Sequence, residues 1–342
     1  MKKMIAMCVL VITSIVCSGC NVYLLPHDKD KSSVSGYSYV PIDPFPVRTK
    51  GEKHAFSSDS DILKSLPDIA VRVSVRESTA SGEVLFGQNS VGASGSKYRI
   101  TVDYINADTV SKNIAIAKSI ADVKGNVYFL PPFMDITVFF ADSLLGKNGI
   151  SGTNFAYKDE TSVELGKFPI DLRTVRYYVF DTKNVSDKRI TALLEQAQNV
   201  PFLEEYTIPL YVGIGMRVVV DISEVKSGVN ITGLGTIGAS AEAGLLNGSL
   251  AVQTLGVNGE AISAALPIQS ELNRTTAQNA IMAIGSIKAL LYNEETVKMP
   301  RVVGMYLPFP ANRRLVNAIV SSVAETPPEW DPFATSREPN GQ

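Results

Sequence analysis

The 342 residues include only two histidines, His27 and His54, and both fall in a stretch rich in Ser, Pro, Asp and Lys. A Ser-His-Asp or Cys-His mechanism therefore lacks its base in the body of the protein, and a histidine-rich zinc site lacks its ligands. The remaining motifs are incomplete. Asp28-x-Asp30-x-Ser32 begins like a calcium loop but has neither the central Gly nor the closing Glu. Ser94-Gly95-Ser96-Lys97 has a Ser-x-x-Lys spacing without a Ser-Asp-Asn or Lys-Thr-Gly companion, and reads as a turn before a strand. Gly233-Leu234-Gly235-Thr236-Ile237-Gly238 matches the Gly-x-Gly-x-x-Gly pattern that seats a pyrophosphate at a helix start. It lies inside an alternating run with no helix expected after it, so close approach of another surface is the preferred reading. Carboxylate-only glycosidase chemistry needs just two acids at a set separation. Glu204-Glu205 and Glu294-Glu295 are adjacent pairs that read as solvated turns. No catalytic, cofactor-binding or metal-ligating residue emerges, and the expectation is a protein that is not an enzyme and uses no cofactor.

The cysteines are more informative. Met1-Lys2-Lys3 is a short basic head, and Met4 to Val16 is an apolar run broken only by Thr13 and Ser14. That run is too short to span a bilayer as a helix. It ends in Cys17-Ser18-Gly19-Cys20, which resembles the lipobox of bacterial lipoproteins, with Cys17 where Leu is more usual. The resemblance covers about twenty residues and implies that residues 1–19 are a signal peptide and that Cys20 is the lipidation site. Three fatty chains on Cys20 would exceed the two signals that make anchoring stable. Asn21 rather than Asp after the cysteine implies the outer membrane. Processing would remove Lys2, Lys3, Cys8 and Cys17, leaving a more acidic chain with no pair of thiols to join, so the fold must rest on its core rather than on disulfides.

With 32 Lys+Arg against 34 Asp+Glu, a formal charge of −2, the chain carries no broad basic field, and nucleic acid is not an expected partner. A composition 45% apolar and 19% charged is enough to bury a real core.

The elements that would position any chemistry read as follows. Residues 20–66, with closely spaced prolines at Pro41, Pro44 and Pro46, predict a flexible tether between lipid and body. Beyond it, Ile69–Arg76, Tyr98–Tyr104 and Thr174–Phe180 alternate with a period of two, which predicts strands with one wet face, and Asp135–Phe140 is a further strand. A helix is expected over 188–200, with Ile190, Leu193, Leu194 and Ala197 on one face. In the second half, Val212 to Ile222 puts apolar residues on one face of a long strand, with Gly213, Gly215, Arg217 and Asp221 on the other. Val229 to Ala243 alternates again, with Leu234 the one exception on the polar side. Asn247-Gly248 follows as a hairpin signal before Leu250–Leu255, so a three-stranded meander is expected. Thr275-x-x-Gln278 has capping-box spacing for a helix to Tyr292 with a stripe of Ala277, Ile281, Ile284, Ile287 and Leu291. Arg301–Leu307 reads as a strand, 312–323 as a helix, and 326–342 as a disordered tail.

The expected fold class is α+β and β-rich, with antiparallel or mixed sheets and a few packed helices. Two subdomains are expected, a β-rich one over 67–205 and a β-meander plus helix over 206–325. The expected role is an outer-membrane-anchored structural, assembly or binding component of a cell-envelope machine. Its partners would be the membrane through the lipid anchor and either an envelope protein or a second copy of the chain. One alternative is an oligomeric pore, since strands at 211–223 and 229–243 are long enough to cross a bilayer as a hairpin, a design similar to that of pore-forming export lipoproteins. A histidine-independent envelope hydrolase is the third reading.

Overall fold

The computed structural model describes residues 38–50, 59–78, 84–87, 91–92, 97–121, 125–133, 155–159, 162–165, 168–171, 174–182, 203–226, 229–230, 233–258, 270–293, 296–309 and 311–332, with Thr191 and Glu195. The expected signal peptide, Cys20, both histidines, Glu294-Glu295, the strand expected at Asp135–Phe140 and most of the helix expected over 188–200 lie outside the described residues.

The strands in the first half are β1 (Ser38–Pro46), β2 (Arg48–Thr49), β3 (Asp68–Ser78), β4 (Val84–Gly87), β5 (Val91–Gly92), β6 (Lys97–Ala121), β7 (Val127–Leu130), β8 (Phe155–Asp159), β9 (Ser162–Leu165), β10 (Phe168–Asp171) and β11 (Arg176–Asp181). Those in the second half are β12 (Glu204–Val225), β13 (Val229–Asn230), β14 (Leu246–Leu255), β15 (Val257–Asn258), β16 (Ser270–Glu271), β17 (Val297–Lys298), β18 (Arg301–Leu307) and β19 (Glu329–Trp330). The helices are α1 (Asp59–Lys64), α2 (Leu234–Glu242), α3 (Arg274–Leu291) and α4 (Arg313–Glu325). The protein is α+β and β-rich, as its alternating segments predict.

A ten-stranded sheet with main path β1-β18-β12-β6-β3-β4 organises the body; its β6, β12 and β3 pair antiparallel. Its spine is the pair β12 and β6, in register from Glu204 opposite Ile116 to Ile222 opposite Tyr98. The boundary expected near 205 thus falls at the start of a strand whose partner comes from the first half. Both halves share one sheet, because neither long strand has a neighbour of matching length within its own half.

Alternation assigns the two faces. Even-numbered residues of β12, from Ile208 to Ile222, are at most 2% exposed, and with Tyr98, Ile100, Ile114 and Ile116 of β6 they form the main core. Leu234 and Ile237 of α2, Ala280 and Leu291 of α3, and Leu315, Ile319 and Val323 of α4 pack into that same core. Helix α4 starts where Asn312 accepts a hydrogen bond from the Leu315 backbone N–H at 2.9 Å, an N-cap that satisfies an otherwise orphaned donor.

Four expectations are corrected. First, the tether does not extend to 66: Tyr39, Val40 and Ile42 of β1 and Ile62 and Leu66 around α1 are buried. Pro41, Pro44 and Pro46 are tolerated because β1 is an end strand paired only with β18, where a missing N–H costs no ladder bond on the outer side.

Second, residues 234–242 are helical, so no three-stranded meander and no 211–243 hairpin exists here, and the pore reading loses its structural basis. Leu234, Ile237, Gly238 and Ala241 recur at helical spacing, and the helix stops at Gly244, whose φ of +68° is the left-handed conformation usual after a helix end. Asn247-Gly248 is not a turn but lies within β14, opposite Glu224 and Ile222.

Third, α3 is capped two residues earlier than expected: Asn273 and Thr276 exchange side-chain to backbone bonds at 2.9 and 3.0 Å. Its buried stripe runs through Ala277, Ala280 and Leu291, and Ile281 is exposed.

Fourth, the tail is docked as far as 332. Trp330 is 1% exposed, its indole N–H donates to Asp108 at 2.9 Å, and β19 pairs with β2. Lys112 secures the approach to it, pairing with Asp181 at 2.5 Å and donating to the Thr326 carbonyl at 3.0 Å. Residues 333–342 lie outside the described residues.

Candidate functional site

The odd-numbered face of β6 and β12 carries the polar residues that alternation puts opposite the core. Strand β1 passes over this face and comes alongside β3, so the sheet curls and the face becomes concave. Strand register arranges its side chains in transverse rows. One row runs Arg72 (β3), Asp103 (β6), Arg217 (β12), Gln253 (β14). Two residues along is Ser74, Thr101, Val219, and two further is Arg76, Arg99, Asp221, Ser249, Glu271.

The first of these rows is the electrostatic centre of the fold. Asp103 is 0% exposed and Arg217 4%. The guanidinium donates from Nε and Nη2 to the two Asp103 oxygens at 2.6 Å each, from Nη1 to the Ile42 carbonyl at 2.7 Å, and from Nη2 to the Val303 carbonyl at 2.7 Å. The Tyr39 hydroxyl donates to Asp103 Oδ2. Gly304 makes room for this, since a Cβ there would lie 2.4 Å from the Tyr39 ring. Burial, then the Asp103 charge, holds the Tyr39 hydroxyl well above its ordinary pKa. Burial alone would lower Arg217, but the bonds to Asp103 and its charge outweigh it and raise the guanidinium above its ordinary value. Arg72 flanks the centre with its guanidinium 4.2 Å from the Tyr211 ring centroid, a cation–π contact, and its Nε is buried without a hydrogen-bond partner. A wet face was expected here; instead the row is sealed, because β1 and β18 supply carbonyls to the arginine. Asp103 is closed off from solvent and accepts three hydrogen bonds, one at Oδ1 and two at Oδ2. Its role is to join β1, β6, β12 and β18.

Cover is lost toward the row of Arg76 and Arg99. Arg99 and Asp221 are 48% and 42% exposed in their side chains and form a two-point pair at 2.5 and 2.9 Å. Its bonds to Asp221 raise Arg99 above its ordinary value, with Asp43 of β1 adding to the effect. Arg76 is half-buried and stands directly opposite Arg99. Burial, then the charges of Arg99 and Arg313, lowers Arg76, with Asp221 opposing. These residues line an open cleft of about 590 Å³ at the mouth of the curl, together with Ser78, Lys97, Asn247, Ser249 and Glu271. The arrangement can bind a charged group through several charge-assisted hydrogen bonds.

The residues singled out from the sequence go elsewhere. Lys97 of the Ser-x-x-Lys spacing lines the cleft, while Ser94 lies outside the described residues. Gly233–Gly238 does open a helix, contrary to expectation, but β13 before it pairs only with β5 and belongs to no parallel unit. Gly238 there serves packing, since a Cβ would lie 2.6 Å from that of Ala277 on α3. Glu204 accepts a bond from the Tyr206 hydroxyl at 2.5 Å, and burial followed by that bond raises Tyr206. Among the described residues no group of three His, Cys, Asp or Glu side chains is placed to hold a metal ion. Sequence reading missed the arginine pair: Arg72, Arg76, Arg99, Asp103, Arg217 and Asp221 all sit on polar faces of alternating runs, but which of them are neighbours is a matter of register.

No protein-family model, no curated protein and no solved structure matches this chain. Among the described residues, no helix is long and apolar enough to cross a membrane.

Proposed function

We propose that this chain is a lipoprotein of the bacterial outer membrane, anchored through Cys20, whose body is a binding or assembly component of a cell-envelope machine rather than an enzyme. The observation that carries the reading is the order of basic head, apolar run and Cys17-Ser18-Gly19-Cys20. The body fits a binding role in that its buried carboxylate is held by Arg217 and Tyr39, whereas its half-exposed charges face an open cleft.

The test is metabolic labelling with palmitate and density fractionation of membranes from cells expressing the full chain or its Cys20→Ser variant. The wild-type chain should take up label and sediment with outer membrane, and Cys20→Ser should do neither. Equal labelling and equal membrane retention of the two would refute the anchor. Crosslinking in cells followed by purification through the body identifies the partner.

A further inference from the structure

We propose that the mouth of the curled sheet is a receptor for a phosphate group, held between the guanidinium groups of Arg76 and Arg99 with Lys97 beside them. The inference rests on the reading of the body as a binding component, and not on the anchor at Cys20.

The first support is a comparison of two rows on the same face. In the sealed row the charges alternate, Arg72, Asp103, Arg217, so that the carboxylate faces a cation on each side. In the open row two cations are adjacent, Arg76 opposite Arg99, and the carboxylate of Asp221 comes only after them. Like charges directly opposite on paired strands destabilise a sheet. Nothing in the packing requires this pair, since both residues face the cleft and not the core.

The second support is how the groups are committed. Asp221 engages Arg99 at two points, which fixes the orientation of that guanidinium. Arg76 has no ion-pair partner among the described residues, and the charges that act on it are Arg99, Arg313 and Asp221, of which only Asp221 is negative. A half-buried guanidinium without a carboxylate offers a planar fork to an anion, and the second, already oriented through Nε and Nη2, can add a bond from Nη1. Lys97 adds a third cation to the same cleft, and Ser78 and Ser249 add hydroxyls.

The third support sets the size of the anion. Glu271 lies at the far end of the open row and also lines the cleft. Its charge disfavours a polyanion stretched along the cleft and leaves room for one phosphate at the β3 side. That phosphate can belong to a lipid headgroup, which an anchored protein meets at the membrane surface, or to a soluble phosphorylated compound.

The experiment follows arginine Nε–H resonances of the full chain in neutral detergent micelles during titration with inorganic phosphate, glycerol 3-phosphate and dihexanoyl-phosphatidylglycerol. Saturable shifts at Arg76 and Arg99 are expected, with affinity reduced about tenfold or more in Arg76→Gln and partly restored in Arg76→Lys, since losing one charge-assisted fork is worth roughly one factor of ten. Arg176→Gln, at an exposed position of β11, should bind as the wild type does. Tighter binding of the dihexanoyl lipid than of glycerol 3-phosphate assigns the site to a headgroup, and equal binding assigns it to a soluble ligand. If wild type binds phosphate but Arg76→Gln and Arg99→Gln bind it equally well, this site is wrong while the binding role stands. If the wild-type chain shows no saturable response to any of the three probes, the inference fails outright. A lower unfolding temperature of Arg76→Gln in phosphate-free buffer would also overturn it, because Arg76 would then be holding the fold together.

Discussion

Replacing Arg217 by Met tests whether the sealed row holds the curl. The side chain lies 4% exposed and makes four hydrogen bonds, two to Asp103 and one each to the carbonyls of Ile42 and Val303. Met fills similar volume without charge, so the loss is electrostatic rather than a cavity. Asp103, 0% exposed, would keep only the Tyr39 hydroxyl. Breaking a buried pair by removing one partner costs about 3–5 kcal/mol. The two carbonyls left without a donor add to this, each at about 1 kcal/mol or more. The expected destabilisation of Arg217→Met is therefore about 5–7 kcal/mol, a large part of a typical folding free energy. The assay is equilibrium denaturation in urea followed by far-UV and near-UV circular dichroism. A double variant, Arg217→Met with Asp103→Leu, removes the stranded charge as well. It should be at least about 2 kcal/mol more stable than the sum of the two single losses predicts, because contacting charges couple strongly. A loss below about 1 kcal/mol for Arg217→Met, or strict additivity in the cycle, would refute the view that this pair joins β1 and β18 to the long strands.

Two further outcomes follow from the same structure. Gly235 and Gly238 lie in one helix, but a Cβ at Gly235 meets nothing within 4 Å whereas one at Gly238 meets the Ala277 Cβ at 2.6 Å. Gly235→Ala should raise stability by up to about 1 kcal/mol and Gly238→Ala should lower it by about 1–3 kcal/mol, as thermal melts of the pair would show. The raised Tyr39 hydroxyl makes stability depend on alkaline pH. A group whose folded pKa lies above its unfolded one contributes stability that is complete below the unfolded value, about 10, and lost as pH rises through the folded value. The unfolding midpoint should thus fall above about pH 10, and Tyr39→Phe, less stable at neutral pH, should show a shallower fall; parallel curves would count against it.

Much of the sheet was legible because a strand with one buried face must alternate. Val212 to Ile222 and Arg301 to Leu307 read correctly for that reason, and the helix expected over 312–323 is α4. The failures have equally local causes. Small residues alternate without meaning, so Gly235, Gly238, Ala239 and Ala241 looked like a strand, and only Leu234, out of phase for a strand and in phase for a helix, signalled α2. The prolines of β1 looked like a linker because sequence does not reveal that a strand lies at the end of a sheet. Trp330 looked loose between prolines because its pocket is formed by residues far away in the chain.

Sequence by itself determined the β-rich class and the polar and apolar face of each long strand, and it supplies the candidate anchor at Cys20, since all of these depend on composition or short-range order. Tertiary structure alone decided what the polar faces do. The same alternation that places Asp103, Arg217, Arg99 and Arg76 opposite the core leaves open whether they are wet or sealed, paired or opposed. Strand register puts Asp103 between two arginines and Arg76 against Arg99, and the path of β1 over the face buries the first row and exposes the second. Both are properties of contacts between different strands, from Arg76 against Arg99 to Ile42 against Arg217, where local propensity has no influence and only the closing of the sheet chooses the neighbours.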